Sequence, residues 1–226
     1  MRVISLVPSV SETLRAWGID PIAVTRFCEQ PDLDTVGGTK NPDIDKIREL
    51  RPDLVVVDRE ENRREDHDAL TQAGLEVHVL TIRSIADVNS QMPELAERVG
   101  APGKWEPIPR AVYTGAPELR AFVPIWRRPW MALGTPTYGA DLLRRLGVAV
   151  VPSGQGPYPA TDLDAIREER PDLVLAPTEP YAFSERHLPE LDAVAQTTIV
   201  DGKDLFWWGT RTREAIGRLE AVIGRA

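Results

Sequence analysis

Residues 43–57 read DIDKIRELRPDLVVV, and residues 162–176 read DLDAIREERPDLVLA. Ten of the fifteen aligned positions are identical at an offset of 119 residues (162 minus 43). A match of this length is not expected by chance and indicates an internal duplication, the feature that most constrains a fold prediction.

Both copies divide in the same way. Apolar residues at helical spacing come first, and an Arg-Pro-Asp triplet follows, which predicts the end of a helix because proline disfavours helical backbone in the residue before it. The apolar runs Leu54–Val57 and Leu173–Ala176 then predict short strands that are buried on both faces. A helix that leads into a buried strand is half of a parallel β-α-β unit.

The flanking sequence extends this pattern. Ser9 and Glu12 have the spacing of a capping box, which predicts a helix that ends near Gly18. Prolines crowd residues 100–119, where only a short helical piece at 109–113 is expected. The predicted fold is α/β, with two Rossmann-like lobes that have small parallel sheets, are related by the duplication and are joined by a linker. The predicted domains are 1–99 for the N-terminal lobe, 100–119 for the interlobe linker and 120–226 for the C-terminal lobe.

Composition excludes several classes of protein. The net charge is −8, from 35 acidic and 27 basic residues, so a nucleic-acid partner is not expected. Apolar runs are too short to span a membrane, so the chain is not expected to be membrane-embedded. The single cysteine excludes an intramolecular disulfide. No signal peptide is visible, which favours a cytoplasmic location, or a periplasmic or extracellular one if a signal has been removed.

Several stretches together resemble a known family. They are ISLVPSVSETL at 4–14, TRFCEQP at 25–31, VGGTKNPD at 36–43 and the duplicated helix-RPDLV-strand unit. They resemble class III substrate-binding proteins, the helical-backbone receptors that deliver cobalamin, ferric siderophores or haem to ABC importers. The match looks closest to the cobalamin-binding branch. The resemblance implies two lobes that face each other with the carboxyl ends of their strands inward, and it allows an ABC permease as a partner.

Ligands of open parallel sheets bind beyond the carboxyl ends of the strands, so the loops at those ends are the candidate site. Aromatic residues are concentrated there, and rigid aromatic faces suit a flat macrocycle. The aromatic candidates for ligand binding are Phe27, Trp126, Trp130, Tyr181, Trp207 and Trp208. Closure of the sheet ends is the alternative role for Trp126 and for Phe183, another ring of these loops. Trp207 and Trp208 favour the cleft because adjacent residues are not expected to share one core.

Polar candidates occupy equivalent loops. Arg59 and Glu60 follow the first duplicated strand, and Glu179 follows the second. One role for these three residues is to hydrogen-bond the amides or carboxylates of a ligand. The alternative is that they are solvated residues at helix starts. Lys40 and Tyr158 are predicted counterparts under the internal symmetry, on turns of the two lobes.

The signals for metal binding and catalysis are weak. Cys28 lies in a candidate loop, where it is either an axial thiolate ligand or an inert, half-buried thiol. No short histidine spacing predicts a metal site, and no nucleophile elbow, phosphate-binding loop or zinc-protease motif occurs. No catalytic residue and no built-in cofactor are therefore predicted.

Two functions remain open. The first is non-enzymatic binding of a small molecule, a cobalamin-like or other metal-chelate ligand such as an iron chelate, between the two lobes. The second is a cytoplasmic enzyme or accessory factor of corrinoid or metal-cofactor metabolism on the same fold.

Overall fold

A computed structural model describes residues 1–109 and 115–224. These residues form two compact units. The N-terminal unit comprises Met1–Ile82, Ala86–Pro107 and Trp208–Thr210, and the C-terminal unit takes the described residues of Arg83–Ile85, Ile108–Trp207 and Arg211–Ala226. The predicted division at 99 and 119 stays a prediction, and the helical piece predicted at 109–113 lies, apart from Pro109, outside the described residues.

The N-terminal unit is built around a four-stranded parallel sheet with the order β2-β1-β5-β6, and β3 and β4 form an antiparallel hairpin. Its elements are β1 (Val3–Ser5), α1 (Pro8–Ala16), β2 (Ala23–Val24), β3 (Gly37–Gly38), β4 (Asn41–Pro42), α2 (Ile44–Glu49), β5 (Leu54–Asp58), α3 (Arg64–Gln72), β6 (Val77–Leu80) and α4 (Ile85–Arg98). On one face of the sheet, Ile4, Val55 and Val57 pack in a buried cluster with Ile47 of α2 and Leu70 of α3.

The C-terminal unit has a second four-stranded parallel sheet, β10-β7-β12-β13, and an antiparallel sheet, β11-β9-β8. Its elements are β7 (Leu119–Phe122), β8 (Pro124–Trp126), β9 (Trp130–Ala132), α5 (Tyr138–Arg145), β10 (Val148–Val151), β11 (Ala160–Thr161), α6 (Leu163–Glu168), β12 (Leu173–Pro177), a 3-10 helix (Glu185–His187), α7 (Leu188–Leu191), β13 (Gln196–Val200), α8 (Gly202–Phe206) and α9 (Thr212–Ile223).

The two parallel sheets share one topology. In each, the strand that comes first in the chain lies between the second and the third, and the fourth lies at the edge. The chain therefore reverses its winding direction between β1 and β5 in one unit and between β7 and β12 in the other. Such a switch point leaves a crevice beyond the carboxyl ends of its two strands. The predicted α/β fold with duplicated parallel sheets is confirmed.

The duplicated aspartates begin the two repeated helices. The Asp43 carboxylate accepts the Lys46 N–H at 3.0 Å, and the Asp162 carboxylate accepts the Ala165 N–H at 2.8 Å. Aspartate is among the most favourable residues at this position because its side chain satisfies an N–H that has no partner within the helix. The repeated D-x-D-x-I-R pattern is thus a helix start.

The repeated Arg-Pro-Asp triplet ends each helix and returns the chain to the sheet. Arg51 has φ 47° and Arg170 has φ 50°, the left-handed backbone that commonly follows a helix C-terminus. Two residues later, the Asp53 carboxylate accepts the Arg2 N–H at 2.6 Å, while the Asp53 N–H donates to the Arg2 carbonyl at 2.8 Å. Asp172 makes the same two bonds to Arg120, at 2.6 and 2.8 Å. Each aspartate therefore fixes the start of the central strand pair.

We expect Asp53→Ala and Asp172→Ala each to lower the free energy of unfolding by about 1 kcal/mol, because each removes one charge-assisted hydrogen bond at an exposed position. Guanidinium chloride denaturation followed by circular dichroism measures the loss. Asp45→Ala is the matched control: its ion pair with Arg48 is exposed, so a loss below about 0.5 kcal/mol is expected. Equal losses in all three variants would show that the triplet has no special role.

The capping box predicted at Ser9 is wrong. Helix α1 begins at Pro8, Val7 occupies the extended cap position, and no side chain caps the helix. Proline suits the first turn because its fixed φ is already helical and its missing N–H needs no partner there. Ser11 is buried instead, and its hydroxyl bonds to Ser5 Oγ at 2.9 Å.

Candidate functional site

Beyond the strand ends of the N-terminal unit lie mainly polar side chains. Phe27 is 52% exposed, and the Arg26 guanidinium lies 5.0 Å from the centre of its ring. Lys40, in the turn between β3 and β4, donates from Nζ to the Glu60 carbonyl at 2.7 Å. Arg59 is exposed beside it. We call residues 26–28, 39–40 and 58–62 the polar corner.

One asparagine connects the loops of the polar corner. The Asn62 amide donates to the Leu6 carbonyl at 3.2 Å and to the Thr39 carbonyl at 2.8 Å. Its Oδ1 accepts the Asp58 N–H at 2.9 Å. The side chain is buried, and these bonds connect the loop after β1, the β3–β4 turn and the end of β5. Asn62 therefore lies at the switch point of this sheet.

The neighbouring carboxyl groups have raised pKa values. Asp58 is 1% exposed and accepts the Glu60 N–H at 2.8 Å and the Ile82 N–H at 3.2 Å. Burial, and secondarily the charge of Glu61, raise the pKa of Asp58 to about 7, although the N–H donors oppose this. Burial also raises the pKa of Glu61, against the attraction of Lys40. The corner thus holds a buried carboxyl group whose pKa lies well above its ordinary value.

Beyond the strand ends of the C-terminal unit lie mainly aromatic rings. We call Trp126, Trp130, Tyr181, Phe183 and His187 the aromatic cluster. Trp126 meets Tyr181 edge-on at 5.7 Å, Tyr181 lies 4.7 Å from Phe183, and Phe183 stacks on Trp130 at 6.0 Å with 6° between the planes. Trp126 is 45% exposed, whereas Phe183 is buried. The cluster therefore presents an open indole supported by packed rings, which favours the closing role for Phe183 alone.

His187 supports the cluster from inside. Its ring meets Tyr181 at 5.6 Å and Phe183 at 5.4 Å, both edge-on. Its Nδ1 accepts the Ser184 N–H at 3.0 Å. Burial lowers its pKa, and the nearby cations of Arg186 and Arg127 lower it further. Both effects favour the neutral imidazole, which acts here as a packed ring.

Arg127 braces the same cluster from its rim. Its Nε donates to a Glu190 carboxylate oxygen at 2.9 Å, its guanidinium lies 5.8 Å from the Trp130 ring centre, and Tyr181 lies close enough to contribute to its raised pKa. The bond to Glu190 raises the pKa of Arg127, so its charge is permanent. Two rings of the cluster are therefore held by one cation.

The adjacent pair Trp207 and Trp208 have different environments. Trp208 is 4% exposed and belongs to the N-terminal unit, so its indole contributes to packing and offers no open face. Trp207 belongs to the C-terminal unit and is half-buried, with Lys203 Nζ 5.1 Å and the Arg211 guanidinium 5.5 Å from its ring centre. That Trp207 and Trp208 bind a ligand stays a prediction, and the burial of Trp208 does not favour it for that ring.

Two further predicted residues lie on loops of the C-terminal unit. Tyr158 is 41% exposed, and its loop passes over Gly134, where a Cβ would collide with the Gly156 carbonyl. Glu179 is half-buried and packs so closely on Gly202 that a side chain there would overlap it. Both glycines therefore permit a close approach that fixes a candidate loop.

Cys28 is buried rather than presented to a ligand. Its sulfur lies 3.1 Å from Ser11 Oγ and 3.3 Å from Thr25 Oγ1, and burial raises the pKa of the thiol. This environment favours the inert thiol over the axial ligand. Within residues 1–109 and 115–224, no three His, Cys, Asp or Glu side chains are grouped so that they could hold a metal ion.

The structure therefore distributes the predicted site residues over several places. The polar corner contains Phe27, Lys40, Arg59 and Glu60, and the aromatic cluster contains Trp126, Trp130 and Tyr181. Other loops of the C-terminal unit carry Tyr158, Glu179 and Trp207. Trp208 is buried. Asn62 and Arg127 were not predicted. Arg127 adjoins Trp126 in sequence, which is a usable signal, whereas a single asparagine gives none.

Comparisons with known proteins agree with this fold. A family model described as periplasmic binding protein matches residues 3–206. The vitamin B12-binding protein of Vibrio vulnificus (strain CMCP6) is 25% identical over 200 residues, which is 80% of this chain and 72% of that protein. The solved periplasmic vitamin B12 binding protein BtuF of Vibrio cholerae matches with a TM-score of 0.82 at 17% identity, covering 99% of this chain and 96% of that one.

A second solved structure, the periplasmic heme-binding protein BhuT in complex with two hemes, matches with a TM-score of 0.81 at 19% identity, covering 99% of this chain and 98% of that one. Among the described residues, no helix combines the length and the apolar character that crossing a membrane requires. Proteins of the matched family bind substrates and do not transform them, so the expectation that the chain is not an enzyme is confirmed. The resemblance to class III receptors is confirmed as well: the chain belongs to the periplasmic binding protein family.

Proposed function

We propose that this protein binds a flat metal chelate of the corrin or porphyrin type and delivers it to an ABC permease. The observation that carries the proposal is the aromatic cluster at the switch point of the C-terminal unit, with Trp126 open at its surface. The names of the relatives support it, since they include a vitamin B12-binding protein and a heme-binding protein.

The cluster is suited to a large planar ligand. Stacking on an aromatic face is favoured when the ring is already held in place, because little side-chain freedom is then lost on binding. Trp126 is held by Tyr181, which in turn is fixed by Phe183 and Arg127. The open indole is therefore preorganised for a macrocycle.

The polar corner supplies a different chemistry. Lys40 and Arg59 are exposed cations there, and Lys40 Nζ donates to the Glu60 carbonyl. Such groups bond to the amides of a corrinoid or to the carboxylates of a porphyrin or siderophore. In this proposal, the polar corner suits the polar periphery of a ligand of this class.

Delivery to a permease for import places the protein outside the cytoplasm, and two of the matched relatives are named as periplasmic proteins. Fractionation of cells that produce the complete gene product tests this part. Recovery in the periplasmic fraction supports delivery, whereas recovery with the cytoplasmic proteins would contradict it. The comparisons do not favour the alternative of a cytoplasmic enzyme or accessory factor.

We expect Trp126→Ala to raise the dissociation constant about tenfold, because it removes the one exposed stacking ring of the cluster. Purified protein is titrated with cyanocobalamin, haemin and a ferric siderophore while tryptophan fluorescence is followed. The matched control is Trp105→Phe, which also leaves five of the six tryptophans but changes a buried ring in the N-terminal unit.

The titration has one result that supports the proposal and one that contradicts it. Saturable quenching by one probe, weakened by Trp126→Ala and unchanged by Trp105→Phe, supports the proposal. Absence of saturable quenching with all three probes would remove the proposed ligand class, while the family assignment would stand.

A further inference from the structure

The two copies of the duplicated unit diverge at the point where their third strands end. With the offset of 119 residues, Asp58 corresponds to Pro177 and Asn62 to Tyr181. Both β5 and β12 are buried five-residue strands that end at this position. One copy therefore places a carboxyl group and an amide at its switch point, where the other places a proline and an aromatic ring.

Asp58 and Asn62 form a reciprocal pair. The Asp58 N–H donates to Asn62 Oδ1 at 2.9 Å, and the Asn62 N–H donates to the Asp58 carbonyl at 2.8 Å. Outward from this pair, the Asp58 carboxyl accepts the N–H groups of Glu60 and Ile82, and the Asn62 amide donates to Leu6 and Thr39. The segments after β1, β5 and β6 and the β3–β4 turn thus meet at two side chains. We call this pair the clasp.

We propose that Asp58 and Asn62 are positioning residues that hold the loops of the polar corner in one arrangement, and that a proton on Asp58 favours this arrangement. The claim that these loops then face a ligand rests on the proposed function. The claim that the clasp orders them does not.

The physical reason for the proton dependence is burial. Ionised Asp58 keeps its hydrogen bonds to N–H donors, but it loses hydration that it would regain if the loops opened. Glu61 of the same loop is a charged side chain that acts directly on Asp58, and Glu61 is itself acted on by Glu60 and by Lys40 of the hairpin. Glu61 repels a charge on Asp58, while Lys40 compensates Glu61. A neutral Asp58 avoids both the loss of hydration and the repulsion from Glu61.

The direction follows from linkage. Asp58 has a pKa of about 7 when the loops are closed and the ordinary value of 3.8 when it is exposed. The closed arrangement binds more protons, so it is most favoured below about pH 4 and loses stability as the pH rises towards 7. Above pH 7 the group is ionised in both states, and the dependence levels off.

Hydrogen exchange of the full chain without ligand tests the clasp. Protection factors, in which the intrinsic pH dependence of exchange is divided out, are measured at pH 5.5 and 7.0 for peptides that cover 58–63. We expect protection to fall about tenfold over this range, because one proton is linked to opening. The peptide 177–183 is an internal control, because it has no carboxyl group in the clasp position.

Variants separate proton coupling from simple support. In Asp58→Asn, the change between the two pH values is expected to be less than twofold. In Asn62→Ala, protection of 58–63 is expected to fall at least tenfold at both pH values, because the amide bonds to Leu6 and Thr39 are lost. Asp43→Asn is the matched control, since asparagine also caps helices and this variant should keep the dependence of the natural protein.

Three results would overturn the proposal: no fall in the natural protein, an undiminished fall in Asp58→Asn, or unchanged protection in Asn62→Ala. Circular dichroism confirms that each variant is folded before exchange is measured. Failure of all three ligands to bind would reject the proposed function and leave these exchange results intact, so the two failures are distinguishable.

Discussion

Phe122→Ala is expected to lower the free energy of unfolding by about 3–5 kcal/mol. Phe122 is fully buried at the end of β7, where it packs in one cluster with Val174, Ile166 and Leu191. Its removal loses the transfer energy of a phenyl ring and leaves a cavity that surrounding strands cannot close. Guanidinium chloride denaturation, followed by circular dichroism, measures the effect.

The same substitution reaches the candidate site. Phe122 contacts Trp130 edge-on at 6.5 Å, so the ring beneath the stacked pair Trp130–Phe183 is removed. Ile166→Val is the matched control in the same cluster and should cost about 1 kcal/mol. A loss in Phe122→Ala no larger than in the control would contradict the packing described for this unit.

Asp204→Asn is expected to lower the free energy of unfolding by about 3 kcal/mol. Asp204 is buried in α8 and accepts two bonds from Arg218, at 2.8 and 2.7 Å, and one from Arg211 at 3.3 Å. This pairing raises the pKa of Arg218 further above its ordinary value. Neutralising the carboxylate removes the Asp204 charge from the largely buried Arg211, while half-exposed Arg218 can turn to water.

Glu214→Gln is the control that distinguishes the effect of losing a buried carboxylate from the effect of losing an exposed ion pair. Glu214 pairs with the same arginine at 3.3 Å, but its side chain is exposed, so a loss below about 1 kcal/mol is expected. Urea denaturation of both variants gives the comparison. Similar losses would mean that the burial of Asp204 contributes nothing. Because Arg211 also lies against Trp207, the fluorescence of Asp204→Asn should change as well.

The helices and strands of the duplicated unit could be predicted because the same sequence pattern occurs twice in the chain. The repeated aspartates, the Arg-Pro-Asp triplet and the apolar runs have local causes, namely a cap, a chain reversal and a buried strand. Predictions failed where one local signal competed with another. Pro8 determines the start of α1 and displaces the capping box expected at Ser9. Residues 121–126 look like one strand in the sequence, but the strand divides at Val123, because β8 turns away to pair with β9.

The candidate site was predictable only in outline. The strand-end rule found the loops of the polar corner and the aromatic cluster, because parallel strands all end at one edge. Which rings are open depends on tertiary packing, so Trp126 and Trp208 could not be distinguished from composition. Asn62 was missed for the same reason: its partners are the backbone carbonyls of Leu6 and Thr39, which are distant in the chain and which the sequence does not distinguish from any other carbonyl.

Cys28 gives this molecule a built-in reporter. It is the only sulfhydryl in the chain, and it is enclosed by α1 and the residues after β2. An alkylating reagent requires a thiolate that it can reach, and neither condition holds while this enclosure is intact. The rate of alkylation therefore reports how often this part of the fold opens. No label has to be engineered, and no second cysteine contributes to the signal.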